Sequence, residues 1–185
     1  PEGSISIIDM SAGVANLTQT DVTQITFSAL NGTNIDPLIN IYGNDGLQTI
    51  AQDLEPEYIT VNSSSTKAFV SVQENNAMAI IDLTTKTLDT IVGLGYVNRS
   101  VIGLDASNTA STINIATYNN LFGMYQPDAI TAFEANGNTY IASANEGDAR
   151  DYDTYSEEER IKDLTLDPTN FPNAATLQNK DVLGR

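Results

Sequence analysis

A two-strand phrase occurs twice in this chain. A unit of that kind cannot bury its own apolar face, so its copies must stack to make a core. Residues 55–77 read EPEYITVNSSSTKAFVSVQENNA, and residues 126–149 read QPDAITAFEANGNTYIASANEGDA. In both, an acid follows proline (Glu57, Asp128) and opens an apolar run. A polar turn and a second apolar run follow, ending in an acid flanked by amides or glycine (Glu74; Glu146 with Asp148). Pro56 and Pro127 stand 71 positions apart. A partial third copy opens the chain, where Gly3-SISIIDM parallels Asn76-AMAIIDL and Pro1-Glu2-Gly3 falls against Asn145-Glu146-Gly147. The chain thus starts inside a unit and ends at Val182-Leu183-Gly184-Arg185 on the run-in to another strand. The expectation is a piece of a longer protein.

The fold class read from this pattern is all-β, a β-propeller of which residues 1–185 form part of a single domain. Propellers need roughly 4–8 four-stranded blades, so two to three blades are expected here. Strands are predicted at 4–9, 22–27, 58–62, 67–73, 77–83 and 87–92, from short alternating runs rich in Val, Ile and Thr. Residues 10–53 otherwise read as loop with a short helix. Residues 95–125 are small, polar and amide-rich, the composition of a long inserted loop. Asn136-Gly137 is the clearest hairpin signal in the chain. Residues 146–181 form an acidic loop with a short helical excursion. There Ser156 and Glu159 make a capping box that predicts a helix to about Leu164, before Asp167-Pro168 and Phe171-Pro172 end it.

Charge and missing residue types remove several chemistries. Acids outnumber bases 24 to 8, for a net charge of −16, which argues against a nucleic-acid partner and disfavours docking on an anionic membrane. Without cysteine or histidine, the chain has no disulfide, no thiolate, no Ser-His-Asp triad and neither common zinc ligand. No zinc or haem is implied. No apolar run approaches the ~20 residues of a membrane span, so no membrane insertion is expected in this segment. Asn16, Asn31, Asn62 and Asn98 head glycosylation-type triplets, which a chain this rich in Asn, Ser and Thr also produces by chance.

The repeated acids carry the chemistry that remains. If 58–62 pairs with 67–73, the start of one strand and the end of the other share an end, which brings Glu57 near Glu74. A turn at Asn136-Gly137 likewise sets Asp128 opposite about Asn145, beside Glu146. Such acids satisfy backbone N–H groups at strand ends, hold a hard cation, or act directly in catalysis. As candidate Ca²⁺ ligands we take Glu57, Glu74, Asp128, Glu146, Asp148, Asp151 and Asp153. Asp151-Tyr152-Asp153 is no EF-hand, because Ser156 stands at the sixth position and Lys162 at the twelfth. Arg150, in the same acid-rich loop, is either an ion-pair partner or a phosphate clamp. Tyr58, Tyr125 and Tyr152 flank these acids and either pack between blades or line a sugar or ligand site.

The strings LEPEYITV, VQENNAMAIIDL, GLDAS, GMYQPDAI, ANEGDARDYD and LGR resemble the choice-of-anchor I family of secreted and surface-anchored bacterial proteins. That family is itself similar to mesenchyme-specific cell-surface glycoproteins of animals. The resemblance implies an exported, propeller-like protein held at the cell surface by variable anchors. It also carries an alkaline phosphatase or phytase-like esterase label, and related propeller enzymes hold phosphate through calcium clustered on acids. Three functions follow as expectations. The first is a calcium-binding surface scaffold for an extracellular ligand or protein partner. The second is a calcium-dependent phosphoesterase acting on a phosphate ester, with Arg150 and Asp105 as catalytic candidates. The third is a subunit of an extracellular assembly.

Overall fold

The computed structural model describes residues 2–42 and 48–184; positions 43–47 of the loop expected before residue 53, and the Pro1 end of the third copy, lie outside them. In chain order the first strands are β1 (Ser4–Ile8), β2 (Val22–Thr26), β3 (Ile59–Val61), β4 (Lys67–Val72), β5 (Ala77–Asp82) and β6 (Thr87–Gly93). Then come β7 (Tyr96–Asn98), β8 (Phe122–Met124), β9 (Pro127–Ala135), β10 (Asn138–Asn145), β11 (Asp151–Tyr152) and β12 (Tyr155–Ser156). Two one-turn helices, α1 (Ile50–Asp53) and α2 (Ala174–Leu177), and a few 3₁₀ turns complete the described residues. The protein is mostly β, in small antiparallel sheets. Its residues divide into two compact units, Pro1–Gly95 with Tyr125–Asp148 and Tyr96–Met124 with Ala149–Arg185.

The larger unit is built on the four-stranded meander β3-β4-β5-β6, with two-stranded sheets β1-β2 and β9-β10. β1 to β6 match the expected runs to within one residue at each end, because alternation and turn chemistry are local signals. Each meander turn places one residue at positive φ just before or near the next strand: Ser65, Asn76 and Lys86. Asp82 stabilises the last of these turns by accepting from Thr84 N and Thr85 N. Ile5, Ile25 and Phe27 from the β1-β2 side share one core with Val70, Val72, Ala79 and Ile81 of the meander. Full burial of a side chain such as Phe27, Leu54 or Ile81 stabilises by roughly 1.5–3 kcal/mol. Gly93 is required by a close approach, since a Cβ there would lie 2.6 Å from the Leu38 carbonyl carbon.

The turn between β4 and β5 breaks the usual rule that turns lie at the surface. Gln73 and Glu74 are 4% and 8% exposed, and Asn75 and Asn76 are fully buried. Asn76 adopts φ 51°, a left-handed conformation that Asn tolerates better than most residues. Its side-chain N–H donates to Gly95 O at 2.8 Å, and its Oδ1 accepts from Tyr125 N and Gln126 N at 2.9 and 3.1 Å. Asn75 donates to Asn40 O and to Asp53 Oδ2, each at 2.8 Å, and accepts from Glu55 N at 3.4 Å. Two adjacent amides therefore anchor the chain segments that lead into β3 and β9.

The smaller unit is held by the ribbon β7-β8, an isolated Leu104–Ala116 bridge and the hairpin β11-β12. Its core is Tyr118, Leu177 and Leu183, with Leu104, Ile161 and Phe171 packed around them. The helix expected over 156–164 is absent. Ser156 pairs with Asp151 in the hairpin, and its hydroxyl accepts from Glu158 N at 3.2 Å, two residues on rather than three. A 3₁₀ turn occupies Ile161–Asp163, and the short α-helix of this region is α2 instead. Glu157 is drawn off by Arg150: its N–H donates to Arg150 O at 2.9 Å, and its Oε2 accepts from Arg150 N at 3.2 Å. That tertiary pairing outweighs a weak local capping preference.

Replacing Asn76 by Gly preserves the turn's backbone freedom and removes its side-chain bonds. The expected loss is about 2–4 kcal/mol, since buried N–H and C=O groups are left unsatisfied. Urea unfolding of the full chain measures it, and a loss below about 0.5 kcal/mol would show that the turn does not anchor its neighbours.

Candidate functional site

The carboxylates at the strand ends of the larger unit act on one another electrostatically. Glu57 sits just before β3, where its N–H donates to Ser71 O at 3.0 Å, and its side chain reaches solvent. Its carboxyl is pushed up to about 7, first by desolvation and then by the negative charges of Glu74, Asp128, Asp148 and Glu55. Glu57 and Glu74 belong to the first repeat, Asp128 and Asp148 to the second. The sequence suggested one acid pair per copy. The folded chain instead sets acids of both copies around one residue.

Each member is positioned by a different device. Glu74 is buried in the β4–β5 turn, and its carbonyl accepts from the Tyr42 hydroxyl at 2.7 Å. Asp128 is the extra residue of a bulge, because Ala144 pairs with Ala129 whereas Asn145 pairs with Pro127. A bulge re-aims the side chain it carries, and Asp128 is exposed. The register expected for Asp128 is thus displaced by one residue. Asp148 is positioned through its backbone: the side-chain amide of buried Gln126 donates to Asp148 O and accepts from Asp148 N. Gln126 N is in turn bound by Asn76, so a chain of buried amides connects the first repeat to the acid of the second.

Glu146 is exposed just beyond β10. Among the described residues, no three acidic side chains converge closely enough to hold a metal ion. The donor chemistry, all carboxylate and carbonyl oxygen, is nonetheless that of a hard cation. Charge is handled differently at the β5–β6 end. There Lys67 Nζ lies 3.3 Å from Asp82 and 2.6 Å from Asp89, and the Thr84 hydroxyl with neighbouring N–H groups holds the Asp82 carboxyl well below the usual range.

The remaining candidates lie in the smaller unit. Arg150 is buried, whereas Asp151 in β11 and Asp153 in the following turn are exposed. Asp105 is exposed and lines a cavity of about 440 Å³ with Ser107, Asn108 and Arg160. Tyr58 and Tyr152, for which packing or ligand lining was expected, are 49% and 52% exposed. Sequence reasoning missed Asn75, Asn76, Gln126 and Asp53 as positioning residues. The available signal was consecutive asparagines in a hairpin turn, which supply both a left-handed backbone and side-chain amides.

No helix among the described residues is long and apolar enough to cross a membrane. No solved structure matches the chain. It is 38% identical over 112 residues to a mesenchyme-specific cell surface glycoprotein of Strongylocentrotus purpuratus. That match covers 60% of the chain but only 14% of the relative. The Choice-of-anchor I domain matches residues 1–185, and on that whole-length match the chain belongs to the choice-of-anchor I family.

Proposed function

We propose that the chain is part of a cell-surface or extracellular β-propeller that recognises a ligand or protein partner, with Ca²⁺ held among its strand-end acids. The observation that carries the cation is the repulsion that Glu74, Asp128 and Asp148 exert on the part-buried Glu57. Like charges gathered on a chain of net charge −16 are relieved by a proton or by a cation. Calcium accepts 6–8 oxygens in flexible geometry, including carbonyls and water. An ion here would draw the carboxylates inward and complete its shell with solvent.

The propeller reading is supported by the way the repeats divide. The meander β3–β6 has the strand content of one blade. β1 repeats the sequence of β5, which opens its second half, and β9-β10 repeats that of its first. β9 runs beside β3 without a shared ladder: Ala132 N donates to Thr60 Oγ1 at 2.9 Å, and Ser63 N donates to Glu134 at 3.4 Å. Surface localisation is supported by the similarity to a cell surface glycoprotein and by family membership.

Calorimetric titration of the full chain with calcium tests the site, with phosphomonoester hydrolysis assayed in parallel, with and without chelator. The expected outcome is saturable calcium binding, stabilisation of about 2.7 kcal/mol at a hundred times Kd, weakened binding in Glu57→Gln, and no turnover. Chelator-sensitive turnover would replace this reading with the phosphoesterase. No binding at millimolar calcium would leave the acids as strand-end hydrogen-bond acceptors.

Glu57 also makes a pH prediction. Its carboxyl is raised from 4.5 to about 7 in the folded chain, so between those values the folded state binds more proton than the unfolded state. Stability therefore falls as pH rises through that window. Thermal melts in chelator should show the fall in the natural chain, with Glu57→Gln flattening it and matching or exceeding the natural melting temperature at pH 8. A variant that keeps the full slope would show that Glu57 is not the titrating group.

A further inference from the structure

A cavity of about 370 Å³ lies within the smaller unit, a volume in the range of small-molecule sites. One wall is Thr117 to Asn119, just after the Leu104–Ala116 bridge, and the other is Asn170 to Asn173, which lead into α2. Hydrogen bonds fasten both walls. Asn120 Nδ2 donates across them to Asn170 O at 3.1 Å. Tyr118 N donates to Arg99 O at 2.9 Å, and Phe171 N donates to Asp167 O at 2.8 Å. Asp167 Oδ1 accepts from Thr169 N and Asn170 N at 2.9 and 2.8 Å. Walls held in this way lose little freedom when a ligand enters. The informative residue is Tyr118. It is only 7% exposed, and a phenol buried that deeply usually finds a hydrogen-bond partner. Its hydroxyl makes no hydrogen bond among the described residues, and it is not sealed from solvent either. Tyr118 lines this cavity, so the cavity is where a buried ring can present an open hydroxyl.

We propose that this cavity binds a neutral pyranose sugar. Besides the Tyr118 hydroxyl, its lining offers the Thr117 hydroxyl and the side-chain amides of Asn119, Asn170 and Asn173. Hydroxyls and amides both donate and accept hydrogen bonds, which is what the hydroxyls of a sugar also do. Half-buried Phe171 and the buried Leu177 add apolar surface. The C–H face of a pyranose carries slight positive charge, which suits the negative face of an aromatic ring. No charged residue lines the cavity among the described residues, although the chain carries a net charge of −16. An anion would therefore meet a repelling field with no local cation to offset it, and a cation would meet no carboxylate. A small ligand with an apolar ring face and many uncharged hydroxyls satisfies all of these groups together. The proposal deepens the reading of the chain as a recognition domain and rests on it. It does not rest on calcium, because the cavity shares no residue with the carboxylate cluster.

The test titrates the full chain, by saturation-transfer NMR and calorimetry, with glucose, galactose, mannose, N-acetylglucosamine and their methyl glycosides. Glucose 6-phosphate and cyclohexanol serve as comparators. At least one neutral sugar should bind with a dissociation constant of about 1 mM, and both comparators should bind more weakly. Binding of the methyl glycosides identifies the end of a glycan as the source, and binding of the free sugars alone identifies a soluble sugar. Tyr118→Phe keeps the ring and removes the hydroxyl, so it should weaken binding by about tenfold at an unchanged melting temperature. Asn119→Trp fills the cavity from an exposed position and should abolish binding, which covers a failure of the first variant to fold. Absence of binding by every neutral sugar at about ten times that concentration would overturn the proposal. Equal binding of glucose 6-phosphate or cyclohexanol would overturn it too, as would unchanged binding in both variants. Repeating the titration in chelator separates this outcome from the calcium result, since sugar binding should persist there.

Discussion

The larger unit is organised around a hairpin turn that is buried. Four polar residues, Gln73 to Asn76, occupy a place where desolvation of unpaired backbone groups would cost several kcal/mol. The fold tolerates them because the two asparagine side chains convert that cost into connections. Asn75 binds the segments at Asn40, Asp53 and Glu55, and Asn76 binds those at Gly95, Tyr125 and Gln126. Buried polar networks of this kind specify one arrangement, since a slipped register would leave their members unsatisfied. The meander and the second repeat are thereby held in a single relation.

The same turn determines where charge accumulates. Glu74 is buried by the turn's burial, and Gln126, held by Asn76, fixes the backbone of Asp148. The electrostatic contrast within the unit is therefore built in. At the β5–β6 end, Asp82 and Asp89 share Lys67. At the opposite strand ends, burial raises the Glu57 carboxyl most, and the charges of four neighbouring carboxylates add to it. Repulsion of this kind, added to burial, favours the protonated form of Glu57.

Much of the strand pattern was legible in the residues. The meander boundaries followed from alternation, and Asn136-Gly137 formed the expected two-residue turn, with φ of 51° and 75°. The proximity of Glu57 and Glu74 followed from simple hairpin geometry. Other features were not legible. The bulge at Asp128 leaves no clear mark in the sequence, because it depends on how Pro127 seats against Asn145. The capping box at Ser156 was a genuine local signal, but Arg150 claimed Glu157 at both its N–H and its carboxylate. The roles of Asn75 and Asn76 were hidden because an asparagine in a turn reads first as a backbone device.

By itself, the sequence determined the strand rhythm, the repeat, the family, the sign of the surface charge and the chemistries that absent histidine and cysteine rule out. These properties depend on residue identity and on the sterics of adjacent residues, so they survive without knowledge of the fold. Only the tertiary structure decided which acids act on one another, which turn is buried and which two segments wall the cavity at Tyr118. Those outcomes depend on distances between residues tens of positions apart, which long-range packing sets. Electrostatic coupling and desolvation follow separation in space and not in sequence.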